Sequence, residues 1–211
     1  MKTVSTLPGR LAVVGVALAV AISLELHFRL AGQISPISQT LSEYVYGRLG
    51  LGFSAAPLFT AMCLALVLGS TALLVGIAGV RRDRAALTLL GLWCGGLTVL
   101  TLFEVDPPGA PRSLSGNVHN IAALVAFVAL PSAAWLLTRG PGGTCPWEAR
   151  RTAIRRLASA SAGGVAVVLG GFLWSQVHPE IAVGLFERVL FGIDVALLLT
   201  MVRPLLNATP R

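Results

Sequence analysis

The sequence predicts an all-α fold, a polytopic membrane bundle of six transmembrane helices with both termini cytoplasmic, and residues 1–211 form one such domain. Three observations carry the prediction. Of the 211 residues, 55% are hydrophobic and only 12% are charged, about half the charge with which a soluble domain of this length covers its surface. The apolar residues form runs long enough to cross a bilayer, and Lys and Arg fall in short blocks between them.

A hydrocarbon core about 30 Å thick takes roughly 20 apolar residues of helix. The runs that qualify are Leu11 to Leu30, Ala55 to Val80, Ala85 to Phe103, Val118 to Thr138, Ala158 to Val177 and Leu185 to Leu206. Backbone amides find no water in lipid, so helix is the form expected of each run. The first run follows Lys2 and Arg10 like a secretory signal, but it is longer than a signal core and lacks a small-x-small cleavage site, so it is expected to be retained.

Positive charge is held back on the cytoplasmic side. Lys2, Arg10, Arg81, Arg82, Arg84, Arg139, Arg150, Arg151, Arg155, Arg156, Arg203 and Arg211 fall at one set of helix ends, and only Arg29, Arg48, Arg112 and Arg188 at the other. That imbalance predicts a multi-pass cell-membrane protein with inner termini. The net charge of +7 is thereby explained by topology, and no nucleic-acid partner is expected, since the basic residues do not cluster as on a soluble nucleic-acid module. The acidic residues behave differently. Glu25, Glu43, Glu104, Asp106, Glu180 and Glu187 lie at or near the outer side, as do all three histidines, His27, His119 and His178; Asp83 and Glu148 lie inside, and Asp194 within the last helix.

Cys63, Cys94 and Cys145 suit neither a disulfide framework nor a metal site, and no cofactor is expected. Small residues four apart, Gly91 with Gly95, Ser159 with Gly163 and Ala160 with Gly164, are expected to form helix seams, mainly within the chain and secondarily between copies in an oligomer. No internal repeat of the transporter kind is visible. The inner loop "RGPGGTCPWEARRTAIRR" reads as headgroup anchoring by Trp147 and its arginines.

The outer stretch "FEVDPPGAPRSLSGNVHN", Phe103 to Asn120, interrupts the apolar chain with two carboxylates, three prolines and a histidine. Asp106 precedes Pro107, Pro108 and Gly109, which end a helix and turn the chain. Ser115 or Asn117 would cap the next helix, placing His119 in its first turn, within reach of an Asp106 hydrogen bond. Such a pair would hold an imidazole for general base work, or cap a loop.

Glu187 and Asp194, seven residues apart, share a helix face. A carboxylate at Asp194's depth costs at least about 2.5 kcal/mol on insertion scales, so it is read as a functional acid facing the bundle, or as one satisfied by hydroxyls such as Thr98 or Thr101. Glu25 and Arg29 read as a structural pair, with His27 interfacial. The loop "GQISPISQTLSEYVYGRLG", whose carboxylate is Glu43, is a candidate cover for the bundle's outer mouth.

Three segments, "ISPISQTLSEY", "FEVDPPGAPRSLSGNVHN" and "LFERVLFGIDVALLL", occur in this order. Together they resemble the bacterial membrane family catalogued as domain of unknown function 998. Asp106, Pro107, Gly116 and His119 match its second motif, Ser42 and Glu43 its first, and Glu187 and Arg188 its acid-Arg pair. The resemblance implies a six-helix bundle in which Asp106, His119, Glu43 and Glu187 form one site; it implies no reaction. Glu104 departs from the pattern as a second carboxylate beside Asp106.

Asp106, His119, Glu187, Asp194 and Glu43 are the candidate catalytic residues. They suit a membrane-embedded enzyme, such as a cyclase, doing acid-base chemistry on a lipid or isoprenoid-like substrate that enters from the bilayer. A metal-assisted variant would use His119, His27 or His178, but the histidines lack paired spacing. The alternatives are a proton-coupled small-molecule transporter running through Asp194 and Glu187, or a non-catalytic accessory protein. Membrane lipids and an apolar small molecule are the expected partners.

Overall fold

A computed structural model describes residues 6–80, 83–139, 145–175 and 182–207. Six helices cross back and forth: α1 Leu7–Leu30, α2 Ala56–Val80, α3 Arg84–Leu102, α4 Leu114–Leu137, α5 Arg151–Ser175 and α6 Val183–Leu206. Each is long and apolar enough to span a membrane. Helix ends lie within a few residues of those expected except at α5, which begins seven residues before the expected Ala158.

Local chemistry explains the boundaries. Pro8 stands in the first turn of α1, where no N–H is needed. Asp83 caps α3 by accepting from the Ala86 amide at 3.2 Å, and Ser113 caps α4 by accepting from the Gly116 amide at 3.0 Å. The α4 cap is therefore Ser113, not Ser115 or Asn117. Pro107 supplies no donor to α3's last turn, so that helix stops short of it.

Packing follows the chain. The hairpins α1–α2, α3–α4 and α5–α6 make the broadest contacts, α2–α3 and α4–α5 join them, and α1–α6 closes the ring. The connection between α1 and α2 therefore lies at the same end as that between α3 and α4, called here the loop end. The inter-helix connections rich in arginine lie at the other. His178 and Glu180, together with Lys2, Arg81, Arg82 and Arg211, lie outside the described residues.

The seams are made by small residues, though not those the four-residue spacing suggested. At Gly15 a Cβ would stand 2.6 Å from the Gly69 Cα and 2.7 Å from the Ala65 carbonyl, and at Gly96 it would stand 2.8 Å from the Ala122 carbonyl. Backbones thus touch at the α1–α2 and α3–α4 crossings, where packing replaces the hydrophobic drive that lipid does not supply. Gly91, Gly95 and Gly163 have no such neighbour within 4 Å, and Ser159 and Ala160 are exposed. Only Gly164 of the expected set packs closely, against Leu190 of α6. Spacing put these residues on one face without saying which face meets a helix.

Two tryptophans tie the interior. Trp93 donates to the Ser70 hydroxyl at 2.9 Å, joining α3 to α2. Trp147, expected at the headgroups, is wholly buried and donates to the Met201 carbonyl of α6 at 2.9 Å. An indole with its N–H satisfied has more to gain inside a bundle than at its rim.

Gly15→Val, which forces two backbones apart, is expected to lower stability by about 1–3 kcal/mol, whereas Gly91→Val is expected to change it by less than about 0.5 kcal/mol. Thermal unfolding of both purified variants in one detergent checks this, and equal midpoints would contradict the α1–α2 crossing.

Candidate functional site

The connection between α1 and α2 crosses the loop end as a strap. Its residues Ile34 to Gln39 turn on themselves, with the Ser35 amide donating to Gln39 Oε1 at 2.8 Å and the Gln39 amide to the Ser35 carbonyl at 3.0 Å. A short 3-10 helix, Ser42–Tyr46, follows. Glu43 serves this turn: Oε1 accepts from the Thr40 amide and hydroxyl at 3.2 and 3.1 Å, and Oε2 accepts from the Gln39 side chain at 2.8 Å.

The first turns of α6 hold the strap down. Glu187 Oε2 accepts from the Leu41 amide at 2.7 Å. Arg188 donates to the Gln39 carbonyl at 2.6 Å and to the Tyr44 hydroxyl at 3.0 Å, with its guanidinium 5.2 Å from the Tyr44 ring centroid. The Leu185 amide donates to the Ile37 carbonyl at 3.0 Å. A side chain at position 184 would drive into the Gln39 carbonyl, so Gly184 is what lets the strap lie on the helix. Arg188 has only donors, so the Tyr44 oxygen accepts from it and keeps its own proton for His27 Nδ1, 3.1 Å away. His27 therefore belongs to this cluster and is not merely interfacial. Glu25 pairs with Arg29 as expected, at the exposed surface.

The hairpin between α3 and α4 lies beside the strap, joined to it by the Tyr46 hydroxyl donating to the Val105 carbonyl. Burial and then the negative charges of Glu104, Asp106 and Glu43 hold the Tyr46 phenol above its ordinary pKa.

The expected Asp106–His119 hydrogen bond is absent. Asp106 accepts from the Ser113 hydroxyl at 2.5 Å and the Ser113 amide at 3.1 Å, and Gly116 leaves room for the carboxylate where any side chain would collide with it. These bonds, first the hydroxyl and then the amide, hold the Asp106 carboxyl below the ordinary aspartate range, with help from the charge of Arg112. His119 lies in the second turn of α4, because the helix begins at Leu114. From there Nδ1 reaches the Phe103 carbonyl at 2.7 Å and the Leu100 carbonyl at 3.1 Å. The last carbonyls of a helix lack partners within it, and the donor that Phe103 would meet four residues on is Pro107, which has no N–H. The imidazole fills that gap.

Carbonyls only accept, so Nδ1 carries the proton and Nε2 of the neutral ring keeps its lone pair. His119 is buried at 5% exposure and borders a cavity of about 30 Å³ with Ser42, Val45, Thr60, Thr101 and Glu104. That is room for a water-sized molecule, roofed by the strap and floored by α2, α3 and α4.

Asp194 stands apart. It is buried in α6 and accepts from the Ser161 hydroxyl of α5 at 2.6 Å. Thr98 and Thr101, the hydroxyls considered for it, donate instead to the carbonyls of Cys94 and Leu97 in their own helix. The second Asp194 oxygen, Oδ2, is buried with no hydrogen-bond partner among the described residues.

The structure thus gathers Glu43 with Glu187 in the strap clasp, and places Asp106 and His119 on neighbouring turns of the hairpin with separate partners. Gln39, Tyr44 and Tyr46 were not singled out from the sequence; the signal was two tyrosines within a polar loop between apolar runs, where a phenol is useful only with a partner. Among the described residues no three His, Cys, Asp or Glu side chains converge to hold a metal ion.

Six spanning helices with a clamped polar cap define a multi-pass integral membrane protein. The chain belongs to the family described as protein of unknown function, DUF998, which it matches over residues 13–203. No curated protein and no solved structure matches it.

Because the Asp106 pKa is lowered by folding, its stabilisation is complete above the ordinary value near 3.8 and is lost as pH falls below it. Amide exchange at Ser113 and Gly116, corrected for intrinsic rate, is expected to accelerate as pH falls below about 4. Asp106→Asn, lacking the ionisable group, should remove that pH dependence, and persistence of the dependence would contradict the clasp.

Proposed function

We propose that this protein carries out acid-base chemistry on a lipid or isoprenoid-like substrate at its loop end, with Nε2 of His119 as the proton acceptor. The observation that carries the reading is the fixed tautomer: two helix-terminal carbonyls hold the Nδ1 proton, leaving a lone pair on a buried ring beside a small polar cavity. A neutral imidazole so oriented suits a general base. Glu104, on the same cavity, is the group to which that proton passes and from which it returns.

In this reading Asp106, Glu43 and Glu187 are positioning residues, since their oxygens are engaged in holding the hairpin and the strap. The cavity admits only a water-sized molecule, so a lipid-sized substrate enters when the strap lifts from α6. The apolar flanks of the bundle supply the route from the bilayer. A second reading, a proton-coupled carrier, is favoured by one observation, the buried Oδ2 of Asp194, which has no hydrogen-bond partner among the described residues.

Lipid extracts of cells with and without the protein, compared by mass spectrometry, test the first reading. A species formed by the wild-type protein should fall about 10²–10⁴-fold with His119→Gln at equal abundance and should persist with Asp194→Asn. An unchanged yield from His119→Gln would remove His119 as the base. Loss with Asp194→Asn while His119→Gln remains active would favour the carrier.

A further inference from the structure

A second concavity lies away from His119, on the flank of the bundle towards the arginine-rich end. It is a groove of about 420 Å³ between α4 and α5, floored by Pro131, Leu136 and Ala158 and bordered by Trp135, Ala162 and Arg139. That volume is in the range of pockets that hold whole small ligands. It opens outward, since Trp135, Ser159 and Ala162 are exposed, and α5 is the least buried of the spans. Small residues on α5 leave it a slot: Ala158, Ser159 and Ala162 line the gap without side chains long enough to fill it.

The polar end of the slot is cationic. Arg155 of α5 lies across the end of α4, donating to the Thr138 hydroxyl at 3.1 Å and the Thr138 carbonyl at 3.4 Å. Its guanidinium stacks 5.3 Å from the centroid of the Trp135 ring that borders the groove. These partners are neutral, and no ion pair of Arg155 with a carboxylate occurs among the described residues; nearby Glu148 pairs with Arg151 at 2.6 Å. A guanidinium with neutral partners keeps its full charge, and the donors it does not give to Thr138 suit bidentate binding of phosphate. Arg139 adds a second positive charge at the same rim.

We infer that this groove is a binding site for one anionic phospholipid of the leaflet at the arginine-rich end, an acyl chain in the slot and the phosphate at Arg155 and Arg139. Apolar slot, aromatic rim and paired arginines occur in the depth order of such a lipid. Basic pockets between spanning helices recognise anionic headgroups in this way. The site is separate from the His119 cavity and does not depend on the proposed chemistry there.

The test is native mass spectrometry of the full chain, purified and equilibrated with equal amounts of phosphatidylglycerol and phosphatidylcholine of identical acyl chains. The wild-type protein is expected to retain phosphatidylglycerol at least roughly fivefold over phosphatidylcholine, the factor for a single arginine at about 1 kcal/mol, and up to about thirtyfold if both arginines contribute fully. Arg155→Gln should cut the preference about fivefold and Arg155→Lys should retain more of it. Ala162→Phe, which fills the slot, should reduce retention of both lipids. Arg10→Gln, an equal charge loss on exposed α1, should leave the preference intact. No preference in the wild-type protein, an equal loss with Arg10→Gln, or undiminished retention by Ala162→Phe would overturn the inference.

Discussion

The grip of Arg188 and Glu187 on the strap is the interaction on which the loop end depends. A connection of this length between two spanning helices has many polar backbone groups to satisfy, even as it buries Ile34, Leu41, Tyr44 and Val45. Here α6 supplies a carboxylate to the Leu41 amide and a guanidinium to the Gln39 carbonyl and the Tyr44 hydroxyl. Charge-assisted bonds of this kind are stronger than neutral ones, and paired opposite charges on adjacent residues let one helix turn bind both a donor and an acceptor. With the strap fixed, Ser42 and Val45 roof the His119 cavity and Tyr46 meets the α3–α4 hairpin.

A second constraint shapes that hairpin. Proline after Asp106 ends α3 and withholds the amide that the Phe103 carbonyl would have met. His119 repairs the deficit from the neighbouring helix, and the repair determines which imidazole nitrogen is protonated. Asp106 meanwhile binds Ser113, which caps α4, so one carboxylate sets the geometry of the turn and the start of the helix bearing the histidine.

Much of this architecture was legible in the sequence. Lipid permits few alternatives to helix, so length and hydropathy sufficed for the six spans, and the motif residues Asp106, Gly116, Glu43 and Glu187 do lie at the loop end. What was not legible is partner choice. Asp106 and His119 are close enough along the chain to suggest each other, but the carbonyls left by Pro107 competed for the imidazole and Ser113 for the carboxylate. Asp194 chose Ser161 of α5 over hydroxyls on α3 because helix order around the ring, which hydropathy does not encode, puts α5 against α6. Small-residue spacing failed likewise at Gly91 and Gly95, where the glycine face points away from the neighbouring helices.

In this structure α6 clamps the strap over the hairpin. Hydrogen exchange across residues 37–46, compared between the wild-type protein and Arg188→Gln in the same detergent, tests it most directly. Exchange in this segment is expected to accelerate in the variant while the middle turns of α3 and α4 keep their protection. Unchanged protection of 37–46 would contradict it.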